Sequence, residues 1–174
     1  MSKGLEVIVM EDMQQVNDVL ELITSVDDGT EQYLSFTLAD EDYGVDILRV
    51  QEIKGWERVT HIPNSPHYVC GVLNLRGTIV PVVDLRRRFD MPIREYTSRT
   101  VVVMLKVEGL TDRTVGIVVD GVSDTHSVAP ESIKPAPDLG ADVSTEFIKG
   151  LVSLENAMLM ILNIDRLLSV EALG

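Results

Sequence analysis

The sequence predicts an all-β fold of two small barrels with short helices, preceded by an amphipathic helix. Three observations carry that expectation. From Gln32 onward apolar and polar residues alternate with a period of two. Clusters of Gly, Asn, Asp and Pro divide the chain into short apolar runs. A stretch that begins at Gly71 recurs at Gly150, so the chain contains two similar β units. Units this small do not suit large sandwiches, and closure into barrels removes exposed sheet edges.

Before Gln32 the pattern is helical. Residues 11–24 (EDMQQVNDVLELIT) set Met13, Val16, Leu20 and Ile23 at helical spacing between acids and amides. Such a segment rests on the body of the protein, forms a half-ordered tail, or docks a partner. Residues 25–31 (SVDDGTE) form a linker-like turn. The expected organisation is an acidic extension over 1–30, a body over 31–168 and a short tail over 169–174.

The β elements follow in order. Leu34, Phe36 and Leu38 alternate with Ser35 and Thr37, Asp40-Glu41-Asp42 makes a polar turn, and Tyr43, Val45 and Ile47 resume the alternation. Val59 to Ile62 is a short extended piece closed by Pro63-Asn64-Ser65-Pro66. Gly71 to Leu85 gives two apolar strands around Asn74-Leu75-Arg76-Gly77, and Pro81 inside the second demands an edge or a bulge. Residues 99–107 and 113–119 form another pair, and 129–145 is a Pro- and Asp-rich loop. A last hairpin spans 147–154 and 158–164, and Asp165 opens a short C-terminal helix.

The repeat aligns Gly71-VLNLRGTIVPVVDLRRRF with Gly150-LVSLENAMLMILNIDRLL at an offset of 79. Arg76-Gly77 falls on Glu155-Asn156, and Asp84 falls on Asn163. A weaker match sets residues 43–47 (YGVDI) against 115–119 (VGIVV) at an offset of 72.

Charge excludes several functions. The chain carries a net −13, and residues 1–31 hold eight acids against Lys3 alone. Phosphate backbones and anionic membrane surfaces repel such a chain, which argues against nucleic-acid binding. No apolar run approaches a membrane span, the first residues lack a signal-peptide pattern, and a single cysteine rules out an internal disulfide. The expected compartment is the cytoplasm.

Residues with chemical potential are sparse. His61, His67 and His126 do not share a metal-ligand spacing. Cys70 sits at a strand start and reads as a small buried hydrophobe. Asp84 and Asp120 each end an apolar strand, where acid–base chemistry is conceivable, but Asp84 is replaced by Asn163 in the second copy. Backbone capping explains them better. The nucleophile-elbow, P-loop and dinucleotide motifs are absent. What remains is polar residues on tight turns. Among them Glu52 and Arg76 have opposite charge and can pair, orienting both at a surface where specificity commonly lies.

Four segments together resemble the CheW family of bacterial chemotaxis coupling proteins: YGVDILRVQEIKG (43–55), GVLNLRGTIVPVVDLR (71–86), VGIVVDGVSD (115–124) and STEFIKGLVSLENAMLMILNIDRLL (144–168). The resemblance implies two five-stranded SH3-like β-barrels, no catalysis, and no cofactor or metal. It implies two partners, the regulatory domain of the histidine kinase CheA and the cytoplasmic tip of methyl-accepting chemoreceptors. On that analogy Val50, Gln51, Glu52 and Ile53 lie near the kinase contact. Asn74, Leu75, Arg76 and Gly77, with Thr100, Val101 and Val102, lie near the receptor contact, and an apolar groove between the barrels accepts the receptor's helical hairpin. Recruitment to membrane-associated receptor arrays follows, without insertion. The acidic segment before Glu31 is longer than a minimal coupling domain requires.

Overall fold

A computed structural model describes residues 17, 29–137, 145–169 and 173. The helix expected over 11–24 therefore lies outside the described residues except at Asn17, as does the tail beyond 169 except Leu173. Among the described residues ten strands and two short helices follow one another: β1 (Glu31–Leu38), β2 (Glu41–Asp46), β3 (Val50–Gly55), β4 (Val69–Leu75), β5 (Thr78–Asp84), α1 (Leu85–Arg88), β6 (Val101–Val107), β7 (Arg113–Val119), β8 (Gly121–Val128), β9 (Ile148–Ser153), β10 (Met158–Leu162) and α2 (Ile164–Leu167). They form two five-stranded, barrel-like sheets of the SH3-like kind expected, ordered β8-β1-β2-β10-β9 and β3-β6-β7-β5-β4.

The two sequence repeats are not the two barrels. β1–β5 with α1 make one copy, and β6–β10 with α2 make the other. Each barrel takes two strands from one copy and three from the other. The β3–β7 barrel is continuous in sequence. The second barrel is split, and its first hairpin (β1–β2) is separated from β8–β10 by the whole of the continuous barrel.

Local chemistry fixes the elements. The β1–β2 turn falls at Ala39-Asp40, with φ of 52° and 67°, rather than over Asp40-Glu41-Asp42 as the polar run suggested. Two residues at positive φ give a turn whose twist matches the flanking strands. Pro81 pairs with Val72 of β4, while β7 joins β5 only from Val82 onward. Its missing N–H therefore falls where β5 is locally an edge, as required. The two aspartate-type caps behave alike: Asp84 accepts from the Arg86 N–H and opens α1, and Asn163 accepts from the Arg166 N–H and opens α2.

The core has three parts. The interior of the continuous barrel holds Leu73, Val80, Val82, Val102, Met104 and Val118. The split barrel encloses Tyr33, Val128, Val152, Leu159 and Ile161. The largest cluster lies between the sheets and joins Phe36, Leu38 and Val45 of one to Ile53, Val103 and Ile117 of the other. Phe36 is wholly buried there, which stabilises by roughly 1.5–3 kcal/mol. The two barrels thus share a packed core at their junction. Arg88 clamps that junction, its guanidinium 4.7 Å from the Tyr68 ring and 4.4 Å from the Phe147 ring.

Candidate functional site

β3 is the outer strand of the continuous barrel's sheet, hydrogen-bonded in its ladder to β6 alone. A register shift between Val50 and Glu52 interrupts its alternation. Gln51 faces solvent, Val50 and Glu52 are half-buried, and Ile53 is wholly buried in the central core. The Gln51 Oε1 accepts from the Thr114 hydroxyl at 2.5 Å, which holds the exposed amide against β7.

The β4–β5 hairpin supplies the second group. Leu75 pairs with Thr78, so Arg76-Gly77 is the whole loop, with φ of 52° and 89°. Asn74 Oδ1 accepts from the Gly77 N–H at 2.8 Å and fixes the turn from within. Leu75 is half-buried against the barrel interior, and Arg76 projects from the tip. The sequence paired Glu52 with Arg76, and the structure does the same: the Arg76 guanidinium donates to the Glu52 carboxylate. One ion pair thus joins the edge strand to the hairpin tip and makes a single surface of two sequence segments.

Thr100, Val101 and Val102 do not reach that surface. Thr100 is 5 % exposed, Val101 1 % and Val102 0 %. β6 is a central strand covered on both faces, Val101 entering the inter-barrel core and Val102 the barrel interior. Thr100 acts beneath the surface: its carbonyl accepts from the Trp56 N–H just beyond β3, and its hydroxyl accepts from the Thr97 N–H. The uninterrupted apolar run at 101–105 is itself the mark of a strand buried on both sides. Sequence reasoning missed Ile79, which faces Asn74 across the hairpin and is 61 % exposed. Its signal was an apolar residue immediately beside a tight polar turn.

The residues considered for catalysis have structural partners. Asp84 is buried, caps α1 and accepts from the Tyr96 hydroxyl at 2.6 Å. Asp120 receives a two-pronged bond from Arg86, at 2.9 and 2.6 Å, and a third from the Ala39 N–H. Burial pushes the Asp120 carboxyl up, but Arg86 and the amide outweigh it and hold it below its ordinary value. Cys70 is half-buried with its Sγ 3.6 Å from the Tyr96 Oη, and burial raises its thiol above the ordinary value against that bond. These contacts anchor the 90–99 connection to the strand ends. Among the described residues no group of three or more His, Cys, Asp or Glu side chains is placed to hold a metal ion. Among the same residues no helix is long and apolar enough to cross a membrane.

A surface of one edge strand, one rigid turn and an ion pair suits recognition. The model of the CheW-like domain matches residues 32–172. The chain belongs to the CheW-like family. It is similar to the chemotaxis protein CheW of Klebsiella aerogenes, 47 % identical over 144 residues that cover 83 % of this chain and 85 % of that one. It is 36 % identical to the chemotaxis protein CheW of Rhizobium meliloti, covering 82 % and 90 %. Among solved structures, the scaffolding protein TtCheW from Thermoanaerobacter tengcongensis superimposes with a TM-score of 0.74 at 30 % identity, covering 82 % of this chain and 90 % of that one. Membership in the CheW-like family makes the chain a chemotaxis scaffold or adaptor protein.

Proposed function

We propose that the chain is a non-catalytic adaptor that couples chemoreceptors to the histidine kinase CheA. Val50, Gln51, Glu52 and Ile53 contact the kinase's regulatory domain. Asn74, Leu75, Arg76 and Gly77, extended by Ile79, contact the receptor's cytoplasmic tip. Thr100, Val101 and Val102 take part only as the packed support beneath both. The observation that carries this reading is the Glu52–Arg76 pair, which sets the two contact segments side by side on one rigid body. A body that holds two partners at once raises their effective concentration for each other. It passes a signal only if its contacts differ in energy between the kinase's active and inactive states. The chain then works in the cytoplasm and is recruited to membrane-associated arrays through the receptor.

Charge reversal tests the assignment. An exposed pair of this kind contributes about 0–1 kcal/mol to folding, so Arg76→Glu and Glu52→Arg are expected to leave the urea midpoint nearly unchanged. Both are expected to lower co-sedimentation with receptor fragment and kinase at least tenfold. The double swap restores the internal pair but presents the wrong charges outward, so it remains defective. Ternary assembly at wild-type levels in both single variants would show that the contacts lie elsewhere.

A further inference from the structure

Ile53 poses a problem for any partner of β3. Its side chain is wholly buried, so only its backbone can be recognised. In an antiparallel ladder the N–H and C=O of one residue point to the same side of the strand. For Ile53 that side carries Asn17. The Asn17 Oδ1 accepts from the Ile53 N–H at 3.1 Å, and the Asn17 Nδ2 donates to the Ile53 C=O at 3.4 Å. A primary carboxamide has the donor and acceptor of a peptide group, so Asn17 supplies at this point what a neighbouring strand would supply.

The sheet explains why such a contact has value. β3 has β6 on one flank only, and an open edge is a template for a strand from another molecule. The β4 and β9 edges are each covered by one short bridge of their own chain, Thr60 with Val72 and Lys134 with Leu151. At β3 the covering group comes instead from the acidic extension, 36 residues away in sequence.

We propose that Asn17 is a built-in competitor for the β3 edge. Asn17 occupies the Ile53 backbone groups in the free protein, and a partner that docks on β3 by backbone hydrogen bonding displaces it. The extension then sets a threshold on assembly through one tethered side chain. The partner's identity rests on the kinase contact proposed above, whereas the Asn17 contact itself does not.

The test is Asn17→Ala in the full chain, with two measurements. Two neutral hydrogen bonds, one of them long, correspond to about a three- to tenfold effect. Amide hydrogen exchange at Ile53 is expected to accelerate by that factor, with Val103 across the ladder unchanged. Affinity for the kinase's regulatory domain is expected to rise by a similar factor. Unchanged exchange at Ile53 overturns the proposal, because the contact would not protect the edge. Faster exchange with equal or weaker kinase binding overturns it too, because Asn17 would then not compete. Glu52→Arg in the same titration separates the two readings. If that variant binds the kinase as well as the wild type does, the kinase assignment of β3 fails and the competition fails with it, whatever the exchange shows. If Glu52→Arg loses binding while Asn17→Ala gains none, only the competition fails.

Discussion

Gly71 of the continuous barrel and Gly150 of the split barrel occupy the same place in the duplicated pattern, and both lie where another backbone crosses closely. A Cβ on Gly71 would come within 2.2 Å of the Thr60 carbonyl oxygen, and one on Gly150 within 2.8 Å of the Lys134 carbonyl oxygen. Both glycines admit the bridge that covers a sheet edge. Gly44 and Gly116 match in the same way, facing β10 and β5 across parallel pairs. The turns do not match. Arg76-Gly77 adopts positive φ and presents a cation, whereas Glu155-Asn156 adopts negative φ and presents an anion. The framework of close backbone approaches is thus shared, and the difference between the barrels lies in charge and turn chemistry at one end. That is where a binding protein can vary without disturbing its core.

The comparison breaks first at the glycines. Gly71 also has φ of 153°, which L side chains avoid, while Gly150 faces only crowding. Gly71→Ala is expected to cost roughly 3–4 kcal/mol and Gly150→Ala about 2 kcal/mol, read as shifts in urea midpoint. Equal losses would mean that the two edges are covered less differently than the geometry indicates.

The caps sharpen it next. Asp84→Ala removes the α1 cap and strips the Tyr96 hydroxyl of its acceptor, an expected loss of about 2 kcal/mol. Asn163→Ala removes a cap alone and is expected to cost about 1 kcal/mol. Asp84→Asn keeps the cap and is expected to fall close to wild type in thermal unfolding. A large loss there would mean that the charge of Asp84 matters more than its capping.

The smallest effect concerns the joints between the barrels. Arg49 donates to Asp165 of α2 at 2.8 and 2.7 Å, and that bond is the main reason the Asp165 carboxyl lies below its ordinary value. Asp120 is likewise lowered, the Arg86 fork prevailing over burial. Folded values below unfolded ones mean stability that is complete above the ordinary carboxylate value near 4. It is lost as the pH falls through the folded values. Urea midpoints are therefore expected to be flat from about pH 7 to about pH 5 and to drop below about pH 4. Asp165→Asn is expected to make that drop shallower. An identical acid profile in the variant would remove Asp165 from the account.

Much of this was legible in the sequence. Period-two alternation announced the strands, and the recurrence of Gly71 at Gly150 announced the duplication. Opposite charges on Glu52 and Arg76 announced their meeting. The exchange of strands was not legible, because similarity between copies says nothing about which copy a strand pairs with. Thr100, Val101 and Val102 were set near the receptor contact by analogy, although the apolar run that follows Thr100 signals burial on both faces. The Asn17 contact had no signal at all, since an asparagine between apolar helix positions looks like any solvated residue.

The interleaving also bears on how the protein is made. In a chain synthesised from its N-terminus, the β1–β2 hairpin leaves the ribosome while every other strand of its sheet is still unmade. It must wait, with Phe36 and Val45 uncovered, until the entire continuous barrel has emerged and β8 to β10 arrive behind it. Isolated hairpins are marginal in water, so this one gains its stability only when those later strands arrive. No single cut in the gene yields two self-sufficient halves, because cleaving between the copies leaves each barrel short of strands.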